Sequence, residues 1–121
     1  MQIGSHILVD MFDIDKEKII KINNNDENIE KWNTFIKESF LEANINLLNI
    51  SWHNFDNQGA FTALYLLSES HLSIHTWPEH NFIALDVFTC GKSDPKFIVD
   101  RIINYFSPKK YIINPLQRGN G

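Results

Sequence analysis

Between Leu66 and Gly91 the chain gathers side chains that can do chemistry. Ser68, Ser70 and Ser73, His71, His75 and His80, and Cys90, its single cysteine, all fall in "LLSESHLSIHTWPEHNFIALDVFTCG". A hydroxyl near an imidazole suggests a nucleophile and a base, and a thiol suggests a nucleophile or a proton donor. Two simple chemistries fit poorly. His71 and His75 would share a face on a helix, but their segment alternates like a strand, where four residues span about 13 Å, too far for one ion. No metal site is therefore expected. Serine hydrolysis would call for a G-x-S-x-G elbow ahead of a helix, and none is present. A lone cysteine in such a run is often only a small buried hydrophobe.

The surrounding pattern shows what must hold these residues. Leu72 to Trp77 and Phe82 to Thr89 read as two strands joined by a hairpin at "PEHN", where Pro78 cannot donate to a ladder. Phe61 to Leu67 is apolar on both faces and reads as a central strand. His6 to Asp13, Leu48 to Phe55 and Lys110 to Leu116 supply three more. In the second of these, Leu48, Ile50 and Trp52 point one way and Asn49, Ser51 and His53 the other. "DNQG", Asp56 to Gly59, is turn chemistry. From Ile29, apolar residues at Trp32, Phe35, Ile36, Phe40 and Leu41 follow a helical period, after a polar break, "NNNDEN", suited to capping. A second helix starts at Asp94, a cap, and Pro95, and is stopped by Pro108. The order predicts an α+β two-layer domain over 1–121, an antiparallel sheet with two helices on one face. The other face stays open and apolar, which suits a second copy and an α/β/β/α dimer.

Composition narrows the class. The chain has 121 residues, a size that buries roughly two-thirds of its unfolded surface, so a core needs no staples. Apolar residues are 43% and charged residues 21%, with nine Phe, three Trp and three Tyr, so the core or a pocket is aromatic. The net charge of −4 and the lack of a basic tract argue against nucleic-acid binding. No apolar run reaches the length of a membrane span, and the start lacks a basic n-region. One cysteine cannot form an internal disulfide. A cytoplasmic location is the expectation.

The motifs then carry a resemblance. "SESHLSIHTWPE" (Ser68 to Glu79) and "DVFTCG" (Asp86 to Gly91) resemble the prokaryotic type of S-adenosylmethionine decarboxylase, whose pattern is E-S-H-x-S-x-H-T-W-P-E followed by D-x-F-T-C-G. Both blocks match in full. "GSHILVDMFD" is similar to the family's G-x-H-x-x-x-D opening, and the H-x-F of His53 and Phe55 and the late Arg118-Gly119 recur. The likeness spans nearly the whole chain.

The resemblance implies a self-processing enzyme. The Glu69–Ser70 bond would break by attack of the Ser70 hydroxyl on the Glu69 carbonyl, an N→O acyl shift and β-elimination. A β chain, 1–69, and an α chain, 70–121, would result, with Ser70 converted to a covalent pyruvoyl group. That group would form a Schiff base with S-adenosylmethionine and accept electrons from the breaking carboxylate bond. The product would be the aminopropyl donor for spermidine synthesis. His75 matches the proton acceptor in processing, an apt role for an imidazole. Cys90 matches the proton donor after CO2 leaves. Thr62 stands at a family serine and keeps the hydroxyl, with Ala63 after it where glycine is common. Phe55 and Trp77 match aromatic positions near the substrate, and Glu79 a carboxylate for ribose hydroxyls. Large aromatics also fill cores, and a glutamate beside a turn can be a solvated charge. The resemblance further implies a homodimer of αβ units with sites near the subunit interface. Two other readings stand beside this one: a decarboxylase of the same mechanism acting on ornithine or arginine, and an uncleaved homologue that regulates a partner subunit.

Overall fold

Alternation of buried and half-exposed residues builds the sheet on which the reactive side chains stand. The structure, a computed structural model, describes residues 3–55, 59–91 and 93–119. Among these, six strands form one sheet: β1 (Gly4–Phe12), β2 (Leu47–Asn54), β3 (Phe61–Leu67), β4 (Ser70–Trp77), β5 (Phe82–Cys90) and β6 (Lys110–Arg118). Their order is β2-β3-β4-β5-β1-β6, and every neighbouring pair is antiparallel. Three helices accompany them: α1 (Lys16–Ile22), α2 (Asp26–Glu42) and α3 (Pro95–Phe106).

One face of the sheet is dry. Val9, Met11, Phe61, Tyr65, Leu72, Ile74, Leu85 and Val87 pack there in one core with Ile19, Ile36, Phe40, Ile98, Ile102 and Phe106 of the helices. Each such side chain contributes about 1.5–3 kcal/mol when fully buried. A buried polar chain fixes α2 against β3: Trp32 Nε1–H donates to the Tyr65 hydroxyl at 3.0 Å, which donates to Asn33 Oδ1 at 2.7 Å. Burial pushes the Tyr65 hydroxyl well above the usual tyrosine range.

The caps follow local chemistry. Asn25 accepts from the Asn28 N–H at 2.8 Å to open α2, and Asp94 accepts from the Lys96 N–H at 2.9 Å to open α3, ahead of Pro95. Helix α1 is an addition to the two helices that the sequence predicts. It is only two turns long, with Ile19 and Ile22 buried and Asp15 accepting from the Glu17 N–H at 3.0 Å. A run this short shows too little periodicity to stand out. Leu48 also departs from expectation. The register slips between Leu47 and Asn49, so Leu48 leaves the face of Ile50 and Trp52 and is 62% exposed. In the expected Asp56–Gly59 turn, Asp56, Asn57 and Gln58 lie outside the described residues.

Among the described residues no helix covers the second sheet face. Thr62, Leu64, Leu66, His71, Ser73, His75 and Trp77 stand on it from β3 and β4, and Phe82, Asp86, Phe88 and Cys90 from β5. Leu64, Leu66 and Trp77 are among its exposed large side chains. Among the described residues no helix is long and apolar enough to cross a membrane.

Candidate active site

The site begins at a tight turn. Leu67 pairs with Ser70 across β3 and β4, so Ser68 and Glu69 alone make the hairpin loop. Two-residue hairpins favour Asn-Gly or Gly-containing pairs, because left-handed backbone is needed there. Here Glu69 takes that conformation, with φ of 59°. Ser70 follows immediately. Its Oγ accepts from the backbone N–H of Cys90 at 3.2 Å, and the Cys90 thiol donates to Glu69 Oε2 at 3.4 Å. The turn and the end of β5 thus bring Glu69, Ser70 and Cys90 together. Gly4 pairs with Cys90 across β5 and β1, and a Cβ on Gly4 would lie 2.7 Å from the Phe88 ring. Glycine at position 4 leaves the space that the Phe88 ring fills.

A second polar pair lies further along. Thr62 is opposite His75 in the β3–β4 register, and its Oγ1 is 3.0 Å from His75 Nδ1. That hydrogen bond engages one ring nitrogen and orients the imidazole. His75 comes five residues after Ser70 on one strand, about 17 Å away at strand rise.

Between these pairs runs a polar and aromatic band. His71 stacks on Phe88 at 5.8 Å, His6 meets both rings edge-on, and the Arg118 guanidinium sits 5.8 Å from the Phe88 centroid. Ser73 donates to Asp86 Oδ2 at 3.4 Å. His6 Nδ1 is 3.4 Å from Arg118 Nη1, and its Nε2 is buried with no hydrogen-bond partner among the described residues. Burial holds the His6 imidazole below its usual range, partly opposed by Asp86.

Comparison with known proteins places the whole chain in a family. Residues 5–119 match the sequence profile of the family described as S-adenosylmethionine decarboxylase. The chain belongs to the S-adenosylmethionine decarboxylase family. It is 37% identical over 118 residues to the S-adenosylmethionine decarboxylase proenzyme of Sulfurihydrogenibium sp., covering 97% of this chain and 83% of that one. The proenzyme of Methanococcus aeolicus is 33% identical over 119 residues, 98% of this chain and 95% of its own. The crystal structure of the Aquifex aeolicus adenosylmethionine decarboxylase superposes with a TM-score of 0.81 at 32% identity, over 99% of this chain and 93% of the other.

The remaining residues that the family resemblance singles out lie beyond His75. Trp77 follows two positions on, with ring centroids 6.2 Å apart. Glu79 is exposed in a short 3-10 turn, Pro78–His80. Phe55 lies just past β2 with its ring against His53 at 4.7 Å. It is 49% exposed and Trp77 is 40% exposed, so neither is core. The structure adds residues that motif reading passed over. Trp77, Phe82 and Phe12 form a row across β4, β5 and β1, with centroids 5.5 and 5.2 Å apart. With His80 they line an open hollow of about 420 Å³. The hairpin itself carried this signal, since a four-residue "PEHN" loop places Phe82 opposite Trp77.

Proposed function

We propose that this protein is a self-processing decarboxylase of S-adenosylmethionine, with cleavage between Glu69 and Ser70 giving chains 1–69 and 70–121. The observation that carries the reading is the junction of Glu69, Ser70 and Cys90 within a chain of this family. Ser70 Oγ attacks the Glu69 carbonyl carbon. A C–O bond forms, the C–N bond breaks, and the nitrogen gains a proton. A base then removes the Ser70 Cα proton, the Cβ–Oγ bond breaks, and Glu69 leaves as a carboxylate. Tautomerisation and addition of water release ammonia and leave a ketone at position 70.

The residues present fit that outcome. The Ser70 hydroxyl accepts from the Cys90 N–H, and the Cys90 thiol donates to Glu69 Oε2. The pyruvoyl ketone, once formed, supplies an electrophilic carbonyl that condenses with an amine and draws in the electrons of a breaking carboxylate bond. Cys90 Sγ then returns a proton to the substrate α-carbon. Trp77 and Phe55 offer ring faces to the adenine and the sulfonium cation, and Glu79 offers a carboxylate to the ribose hydroxyls. The product is the aminopropyl donor for spermidine.

The base is His75, supplied by a second copy. In one copy, His75 is about 17 Å from Ser70 along β4, beyond hydrogen-bond reach. Two copies packed open face to open face, with strands reversed, bring the Thr62–His75 pair of each over the Ser70–Cys90 end of the other. The uncovered face, with Leu64 and Leu66 exposed, supports this pairing.

Intact-mass analysis of purified protein tests the processing. Two fragments are expected, with the larger-numbered one blocked to Edman chemistry, and one uncleaved species for Ser70→Ala. Release of CO2 from carboxyl-labelled S-adenosylmethionine, with none from ornithine or arginine, tests the substrate. A wild-type chain that stays whole overturns the proposal.

A further inference from the structure

We infer that left-handed backbone at Glu69 is a device that drives self-cleavage, with strain stored in the turn and released as the peptide becomes an ester. The inference rests on the reading above and adds a positioning role for a residue's backbone.

Three features of the turn converge on the Glu69–Ser70 bond. Glu69 has φ of 59°, a conformation that costs an L-residue with a Cβ and that glycine adopts freely. The pairing of Leu67 with Ser70 leaves the loop no length in which to relax. On its two sides the loop is tied down. Ser68 N–H donates to the Asn46 carbonyl at 3.0 Å, and Ser70 Oγ accepts from the Cys90 N–H at 3.2 Å. A sequence chosen for turn stability alone would place Asn-Gly here. This chain has Ser68-Glu69. Non-glycine residues held in such regions cluster where strain takes part in a mechanism.

The chemistry gives the strain a use. In the peptide, the Glu69 carbonyl carbon connects to Ser70 Cα through the nitrogen alone. In the ester it connects through Oγ and Cβ, so the link gains one bond. The longer link lets Glu69 leave the left-handed region. An N→O acyl shift is uphill in an unstrained peptide, and release of strain raises the ester fraction. Where elimination follows slowly, the cleavage rate scales with that fraction.

Glycine and alanine at position 69 differ by one methyl group, and only alanine keeps the strain. Glu69→Gly is therefore expected to cleave about five- to thirty-fold more slowly than Glu69→Ala, from the usual cost of a left-handed L-residue. Glu69→Ala loses the same carboxylate contact to the Cys90 thiol and keeps the strain, so it is the reference for Glu69→Gly. Both rates are read as band conversion on denaturing gels. Stability is read in the Ser70→Ala background, where every chain stays whole. There the added Glu69→Gly should raise the melting temperature, because strain is relieved; a merely loosened turn would lower it. The inference is overturned if Glu69→Gly cleaves as fast as Glu69→Ala, or if its melting temperature falls. Those results leave cleavage at Ser70 standing, whereas an uncleaved wild type removes the reading beneath it.

Discussion

Thr62 Oγ1 lies 3.0 Å from His75 Nδ1, across directly paired positions of β3 and β4. The contact joins a strand hydroxyl to the imidazole proposed as base. It engages one ring nitrogen and orients the ring. Thr62→Val keeps the branched shape and removes the oxygen, leaving a half-buried ring nitrogen without that partner. Processing should slow by roughly tenfold, the cost of one such hydrogen bond of about 1–1.5 kcal/mol. Thr62→Ser should stay within a few-fold of wild type. Time courses of chain cleavage decide this, and equal rates for valine and serine would separate the hydroxyl from the chemistry.

The distance between Ser70 and His75 makes a sharper prediction. If each site takes Ser70 from one copy and His75 from the other, two defective chains can repair one another. Ser70→Ala and His75→Ala should each stay uncleaved alone. Co-expressed and separable by a tag, the mixture should show cleavage of the His75→Ala chain only. That chain keeps its own serine and borrows the histidine. Mass spectrometry of each tagged chain reads the result. A mixture in which neither chain is cut would place both groups in one copy and contradict the strand spacing.

Cys90 has two atoms at the site with separable duties. Its backbone N–H holds Ser70 Oγ, and its thiol lies beside Glu69. Replacement of the side chain leaves the N–H in place. Cys90→Ala should therefore still process, while CO2 release from the processed protein falls by about a hundredfold, the low end for loss of a positioned acid. The comparison needs quantified pyruvoyl content, so that turnover is expressed per active site. Normal decarboxylation by Cys90→Ala would remove the thiol from the reaction.

The sheet was legible in the sequence because its strands alternate and its turns carry their own chemistry. Leu72 to Trp77 and Phe82 to Thr89 fall within β4 and β5, and Asp94-Pro95 opens α3 as its types dictate. Helix α1 escaped because two turns give little period, although Asp15 was there to cap it. The slip at Leu48 escaped because a bulge leaves no pattern in a strand whose outer positions are mixed. For the site, motif reading named Ser70, His75 and Cys90 but not their separation. The strand reading already set His71 and His75 about 13 Å apart, and the structure extends β4 back to Ser70 at the Ser68–Glu69 turn. The His6–His71–Phe88 band was likewise invisible, since His6 reaches it only through the β1–β5 pairing.

The β4–β5 pairing places Phe82 beside Trp77, and Phe12 lies beside Phe82, so the two rings extend the surface proposed to meet the substrate. Phe12 also carries the Lys110 ammonium 5.4 Å from its centroid, at the far end from Trp77. The open hollow next to Trp77 is walled by Phe82. Phe82→Ala removes the ring packed against Trp77 at 5.5 Å, and with it part of the surface proposed for stacking. The expected effect is a KM for S-adenosylmethionine raised roughly five- to tenfold, matching about 1 kcal/mol for an aromatic pair, with kcat near wild type. Phe82→Leu should recover part of the loss by filling volume without a π face. Steady-state kinetics on fully processed enzyme measure both. A Phe82→Ala enzyme with unchanged KM and reduced kcat would place the ring with the reacting groups instead of the substrate's base.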